Sequence, residues 1–453
     1  MVLTVRNKWL VAVVAVCLVV SSMAPSAADE TSEAPKPVPA TRPELKAALE
    51  SLKSRRSRIP LPAPGTESGG VVDGLRWDYM PESWGGAGGL GSLGQDKKLG
   101  PQVHDRNASR PMDDVLSDLS FWVVSRANNC HYCLGHQELR LRIAGVDDDT
   151  IAALDGNWTR FDPQQQAALA FARKLTLEPH LIGDKDVAAL KRQFTDAEVI
   201  ELTFNIARFN AANRWTDGMG LPQERYFDEQ GERTLLSPTS KQYQDAASLV
   251  TPETRAERPA LPGWQDVMRA IDACRDRSAR VTLPSKEDAT TTLAGGLGDR
   301  APLNWERAMS KCPGEPKQVA MLNAMMTDAH LGARLKAELA FISAVNNRAW
   351  YAAGHAMQRL KSLDVSTTEV AALLDNAARG DGSSCAHGLA RKLTVDPHLI
   401  TDDDIARVRE HFSDAETAQI IHVIAMANFF DRFTESLGLP SDEWPAPTFE
   451  GNH

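Results

Sequence analysis

From about Met112 onward, apolar residues recur at helical spacing: Val115, Leu116, Leu119, Trp122 and Val123 share one face, with polar residues between them. Local punctuation agrees with that period. Asp162-Pro163 reads as an N-cap with proline in the first turn, opening a helix through Ala167 to Leu175. Thr195-Asp196-Ala197-Glu198 has the Thr-x-x-Glu form of a capping box and opens an apolar helix through Leu202, Ile206 and Phe209. Gly218, Gly220 and Pro222 stop it. No convincing β-hairpin signature occurs, so the pattern predicts an all-α fold.

The pattern is written twice. Ala172 to Ile182 (Ala-Arg-Lys-Leu-Thr-Leu-Glu-Pro-His-Leu-Ile) recurs as Ala390 to Ile400, with nine of eleven positions identical. A second capping box, Ser413-Asp414-Ala415-Glu416, and a second stop, Gly438-Leu439-Pro440, follow at the same distances. A period of about 218 residues is far too long for a solenoid and predicts two fused helical-bundle domains. The boundaries read as 112–222 for the first domain, 223–257 for a charged, Pro-containing linker, 258–440 for the second domain and 441–453 for a tail. The two repeats are expected to pack against each other as a pseudo-dimer.

The N-terminal part reads differently. Arg6 and Lys8 precede an apolar run from Trp9 to Val20, and Ser26-Ala27-Ala28 offers a small-residue cleavage site, so residues 1–28 have the layout of a secretory signal peptide and predict export. Residues 29–111 form a Pro/Gly-rich segment with some helix. Its run Gly85-Gly86-Ala87-Gly88-Gly89 lacks the Gly-Lys-Ser/Thr ending of a phosphate loop.

Composition narrows the function little. Over 453 residues, 42% are hydrophobic and 24% charged, as in an ordinary globular protein of two or three domains. The net charge of -10 is spread along the chain, and no basic stripe speaks for nucleic acid.

The cysteines add more. Residues 128–136 read Asn-Asn-Cys-His-Tyr-Cys-Leu-Gly-His, a Cys-x-x-Cys pair with a histidine three residues on. The second half reads Asn346-Asn347-Arg348-Ala349-Trp350-Tyr351-Ala352-Ala353-Gly354-His355 at the matching place and has neither cysteine. The duplicate is an internal control: the fold does not need these cysteines, so chemistry is the better reason for them. At a helix start the dipole and a neighbouring base lower a thiol pKa, and the Cys-x-x-Cys spacing puts both sulfurs on one face. Cys130, Cys133, His136 and Asp118, on the preceding helix, form the candidate catalytic set. His180 and His398 recur in both halves after prolines and read as structural helix-end residues. Cys274 and Cys312 could form a structural bridge, and Cys385 reads as a small buried residue.

This arrangement resembles the carboxymuconolactone decarboxylase superfamily, in its alkyl hydroperoxidase D-like, peroxidase-related branch. That branch carries a Glu, eleven residues, then Cys-x-x-Cys-x-x-x-His; here Asp118 replaces the Glu and His136 comes one residue early. The resemblance covers 112–222 well and 258–440 as a degenerate copy. It implies two tandem alkyl hydroperoxidase D-like bundles, homo-oligomers, no cofactor, a hydroperoxide substrate and a thiol reductant of unknown identity. It also implies that Cys133 attacks peroxide, Cys130 resolves, and Asp118 and His136 relay protons; hydrogen-bond reach then places both groups within one water of Cys133 Sγ. Two other readings stay open: a non-redox lactone decarboxylase or isomerase-like enzyme using His and carboxylate, and a structural or interaction protein with an inert Cys130–Cys133 disulfide. A half zinc site lacks a second close pair of ligands.

Overall fold

The computed structural model describes residues 34–60 and 113–442, excepting 224, 226, 229–230, 233–235, 237–238, 295–296, 298–299, 313–318, 321, 324–330 and 376–381. The signal-like segment 1–28 and the Gly-rich run lie outside the described residues.

The described chain is all-α. Its first half contains α1 (Arg42–Leu52), α2 (Asp114–Ala127), α3 (His131–Ile143), α4 (Asp148–Ala153), α5 (Pro163–Leu177), α6 (Asp184–Leu190) and α7 (Asp196–Met219). A short α8 (Lys241–Gln244) leads into the second half. There follow α9 (Trp264–Ala273), α10 (Lys286–Thr292), α11 (Asn304–Met309), α12 (Ala333–Asn347), α13 (Trp350–Ser362), α14 (Thr367–Ala372), α15 (Gly382–Val395), α16 (Asp402–Arg409) and α17 (Asp414–Ser436). One antiparallel ladder of two residues per strand, Phe227–Asp228 against Gly231–Glu232, lies between the halves. No helix among the described residues is long and apolar enough to cross a membrane.

The helix boundaries follow from the capping chemistry. Thr195 and Glu198 satisfy each other's backbone N–H groups at the start of α7, and Ser413 and Glu416 do the same for α17. Each such cap contributes about 1 kcal/mol. Asp162 caps α5, with Gln165 reciprocating. Gly220 ends α7 at φ 64°, a left-handed conformation that glycine adopts without a Cβ clash. Pro179-His180-Leu181 and Pro397-His398-Leu399 form matching 3-10 turns, and burial lowers both histidines to about 4, so they are neutral near pH 7.

The two halves cross through α7 and α17, and the contacts come in mated pairs. The buried guanidinium of Arg214 donates to Thr394 O at 2.9 Å, and that of Arg432 donates to Thr176 O at 3.4 Å. Phe204 meets Phe433 edge-on, as His422 meets Trp215. Gly218 admits Ile421 so closely that a Cβ there would lie 2.5 Å from its Cγ2. The halves thus pack on one another in a pseudo-twofold manner.

The repeat is longer than its most similar segments. Arg58 N–H bonds Met219 O and Arg280 N–H bonds Leu437 O. Arg58 Nε reaches Asp402 Oδ1 at 2.6 Å, and Arg280 Nε reaches Asp184 Oδ1 at 2.7 Å. The arms after α1 and α9 therefore each brace the opposite half, and α1 belongs with the first bundle rather than with a Pro/Gly-rich leader. Residues 248–254 of the expected linker are also tied down: Ser248 N–H bonds Ala40 O, Leu249 N–H bonds Asp155 O, and Arg173 grips Leu249 O and Thr254 O.

Candidate active site

The site begins with a turn. α2 ends in a Schellman arrangement, with Cys130 N–H on Ser125 O at 2.8 Å and Asn129 N–H on Arg126 O at 3.0 Å. Asn129 takes φ 53°, and asparagine tolerates this left-handed state better than most residues. The turn delivers Cys130 to the N-cap of α3 and Cys133 to its third residue. Cys130 Sγ accepts the Cys133 N–H at 3.4 Å.

Both sulfurs converge on one hydroxyl. Thr216 Oγ1, on α7, lies 3.2 Å from Cys130 Sγ and 3.3 Å from Cys133 Sγ. That hydroxyl also lies 3.0 Å from Ala212 O and 3.2 Å from Asn213 O, so with its proton on a carbonyl its oxygen faces the thiols as an acceptor. Rotation of the O–H would instead present a donor to a thiolate on either sulfur.

The two thiols differ in environment. Cys130 is completely buried and Cys133 is 4% exposed. Burial, the hydrogen bond with Cys133 and the Asp217 charge push the Cys130 thiol well above its usual range. Burial also opposes ionisation of Cys133. There, hydrogen bonds from Cys130 and Thr216 and the influence of His136 outweigh it, and the thiol falls below its ordinary value. Cys133 is thus both the more accessible sulfur and the easier one to ionise.

His136 lies half-buried on α3. Its Nδ1 is 2.9 Å from Tyr132 O, to which it donates. The Gln223 amide nitrogen at 3.4 Å from Nδ1 is then a packing contact. Gln223 presses on Gly135, where a Cβ would meet its Oε1 at 2.4 Å. His131 is buried on Asn129 Oδ1 at 3.0 Å, and burial holds its pKa well below the usual histidine range.

Asp118 forms an ion pair. Its carboxylate pairs with Arg140 at 3.1 Å, and Arg140 stands two helical turns beyond Cys133 on α3. The carboxylate whose charge bears on both thiols is Asp217, which sequence reasoning did not single out. A further carboxylate, Glu138, is fully buried and bound by Arg42 at 2.7 Å and by Trp122 Nε1 at 2.7 Å, bracing α1 and α2 against α3.

In the second half the same turn recurs without sulfur. Ala349 N–H bonds Ala344 O at 2.9 Å, Arg348 takes φ 55°, and Ala349 caps α13. Glu435, the counterpart of Asp217, accepts the Trp350 N–H at 3.0 Å and pairs with Arg277 at 2.5 Å. His355 Nε2 is bound by Asp442 at 3.0 Å, and Tyr351 donates to that same oxygen at 2.5 Å. Cys274, Cys312 and Cys385 are all outside disulfides, so the suggested Cys274–Cys312 bridge does not form. Cys274 lies beside the Arg277 guanidinium and Leu439 O, which hold it in a contact of its own.

No family model matches the chain. Two uncharacterized proteins of Mycobacterium tuberculosis, from strains CDC 1551 / Oshkosh and ATCC 25618 / H37Rv, are each 33% identical to it over 123 residues. The match covers 26% of this chain and 41% of theirs, so the chain spans about two fifths of the length of the curated relatives it matches. Among the described residues, no group of three or more His, Cys, Asp or Glu side chains is arranged to hold a metal ion.

Proposed function

We propose that the protein is an exported thiol-dependent oxidoreductase that reduces hydroperoxides with Cys130 and Cys133. One observation carries the reading: two sulfurs at a helix start, outside any disulfide, share the Thr216 hydroxyl, and the matching helix start of the second half has none. The motif's resemblance to the peroxidase-related branch adds to it.

The chemistry runs in two displacements. The Cys133 thiolate attacks a peroxide oxygen, the O–O bond breaks, and Cys133 becomes a sulfenic acid while the departing alkoxide takes a proton through His136. The Cys130 sulfur then attacks the sulfenic sulfur. Its thiol proton and the displaced hydroxide leave as water, and a Cys130–Cys133 disulfide forms. An external thiol reductant restores both thiols by exchange. Export sets the requirement that this reductant work outside the cytoplasm.

The test is consumption of cumene hydroperoxide or hydrogen peroxide by the reduced protein in the presence of dithiothreitol. Loss of turnover in Cys133→Ser supports the reading, and undiminished turnover in that variant overturns it. A second, non-redox reading of the lactone decarboxylase or isomerase-like kind draws on the His355–Asp442 pair, 3.0 Å apart. Activity of that kind would persist with both Cys130 and Cys133 changed to serine.

A further inference from the structure

The reaction above uses neither member of an ion pair that borders the thiols. Lys36 Nζ, from the arm before α1, lies 2.6 Å from Asp217 Oδ1, and the side chains are 14% and 8% exposed. Asp217 follows Thr216 on α7, and its carbonyl oxygen accepts from Arg58. Its second carboxylate oxygen, Oδ2, is buried and has no hydrogen-bond partner among the described residues. Such an oxygen is costly to bury unless the site uses its charge or its acceptor capacity. A brace that merely pinned the arm would need only Oδ1.

The second half shows what this carboxylate does when it is longer and differently paired. Glu435 has one more methylene, and its carboxylate sits on the first N–H of α13 while Arg277 holds its other oxygen. The residue matching Lys36 is Arg258, which donates instead to Asn346 O. There the helix start is occupied by carboxylate. In the first half the shorter carboxylate is drawn to Lys36, and Cys130 Sγ accepts the N–H of Cys133, the third residue of α3.

We propose that Lys36 and Asp217 are a positioning pair for the thiol site: the ammonium holds the carboxylate off the start of α3 and offsets its charge, so that sulfur occupies the helix N-terminus and thiolate can form. This rests on reading Cys130 and Cys133 as a redox pair. Among the described residues, the other charged and titratable groups around the thiols include His131 and His136 from α3, Arg126 from α2, and Arg55 and Arg58 from the arm after α1. The Asp217 charge opposes ionisation of both thiols, and Lys36 favours it at Cys130.

The two members should therefore act with opposite sign. The experiment measures alkylation of the reduced full-length chain by iodoacetamide from about pH 5 to about pH 10, read at the Cys130 and Cys133 peptides by mass spectrometry. Asp217→Asn should move the reactive thiol's midpoint down by about one pH unit, giving about tenfold faster labelling below it. Lys36→Met should move it up by about as much, and the double variant should return near wild type. Asp217→Glu should also raise it, by carrying the carboxylate to the His131 N–H as Glu435 reaches that of Trp350. Circular dichroism checks folding, and Lys36→Met carries the test alone if Asp217→Asn does not fold. Shifts of the same sign in folded Asp217→Asn and Lys36→Met, or an unmoved profile in folded Lys36→Met, overturn the proposal. The readout needs no peroxide, so opposite shifts in a protein that consumes none would sustain the pair and remove the proposed reaction instead.

Discussion

At Cys130 the first half starts a helix with sulfur, and at Ala349 the second half starts the equivalent helix with the carboxylate of Glu435. The backbone turn is the same in both, down to a non-glycine residue at φ 53° or 55°. Asn128 and Asn347 anchor it alike, each donating to the long helix behind it, at Asn210 and Asn213 or at Asn428 and Asp431. The geometry therefore belongs to the scaffold and the sulfurs do not. In the second half Asp442 ties Tyr351 and His355 together and fastens the end of the described chain to α13. One copy keeps a thiol pair at this helix start, while the other fills it with a carboxylate.

The largest expected effect comes from removing the feature that sets the halves apart. Cys133→Ser should lower peroxide turnover by about 10³-fold or more, and Cys130→Ser should allow one turnover and stall at sulfenic acid, both read by dithiothreitol-coupled peroxide consumption and mass spectrometry. His136→Ala should slow turnover by about 10²-fold, the usual scale for a general acid or base. Asp118→Asn should cost less than about threefold and under about 1 kcal/mol of stability in urea melts, because its partner Arg140 is partly exposed and lies two turns from Cys133. A large loss from Asp118→Asn would mean that the first half uses the carboxylate implied by its family resemblance after all.

The second half should answer in the opposite currency. Glu435→Gln should leave peroxide turnover within about twofold but destabilise the fold by about 1–3 kcal/mol, since Arg277 and the Trp350 N–H lose a charged acceptor. Loss of turnover with intact stability would show that the halves share one site.

A smaller effect lies at the long helices. Burial raises Asp431 from 3.8 to about 8, whereas the first half has Asn213 at that place. A carboxyl whose folded pKa is raised contributes stability that is full below about pH 4 and is lost as pH rises toward 8. Asp431→Asn should therefore flatten the alkaline side of the stability profile. His398 and His422, lowered by burial to about 4 and about 3, act the other way. Their contribution is full above about pH 6.5 and disappears as pH falls through those values. Chemical denaturation across pH 3 to 9 checks both signs.

Much of the helical frame was legible from local chemistry. Thr195 with Glu198, Ser413 with Glu416 and Asp162 before Pro163 each cap the helix they were expected to open, because these contacts span only three or four residues. The arms escaped notice because α1 and α9 share little beyond apolar spacing, and their offset is 222 residues rather than 218. The recurrence of Arg55-x-x-Arg58-Ile59 as Arg277-x-x-Arg280-Val281 was the available signal. Asp217 and Thr216 could not be tied to the cysteines from sequence, because their proximity depends on how α7 passes behind α3. Asp118 is the converse case: its spacing to Cys130 suggested a role, and Arg140, unremarked in the sequence, holds its carboxylate.

The central claim is that the first half carries a working dithiol and the second half a scaffold copy. It is tested most directly by adding one equivalent of hydroperoxide to fully reduced protein and mapping every cysteine by peptide mass spectrometry. The account predicts one Cys130–Cys133 disulfide per chain, with Cys274, Cys312 and Cys385 unmodified. Peroxide left unconsumed, or oxidation confined to the cysteines of the second half, would contradict it.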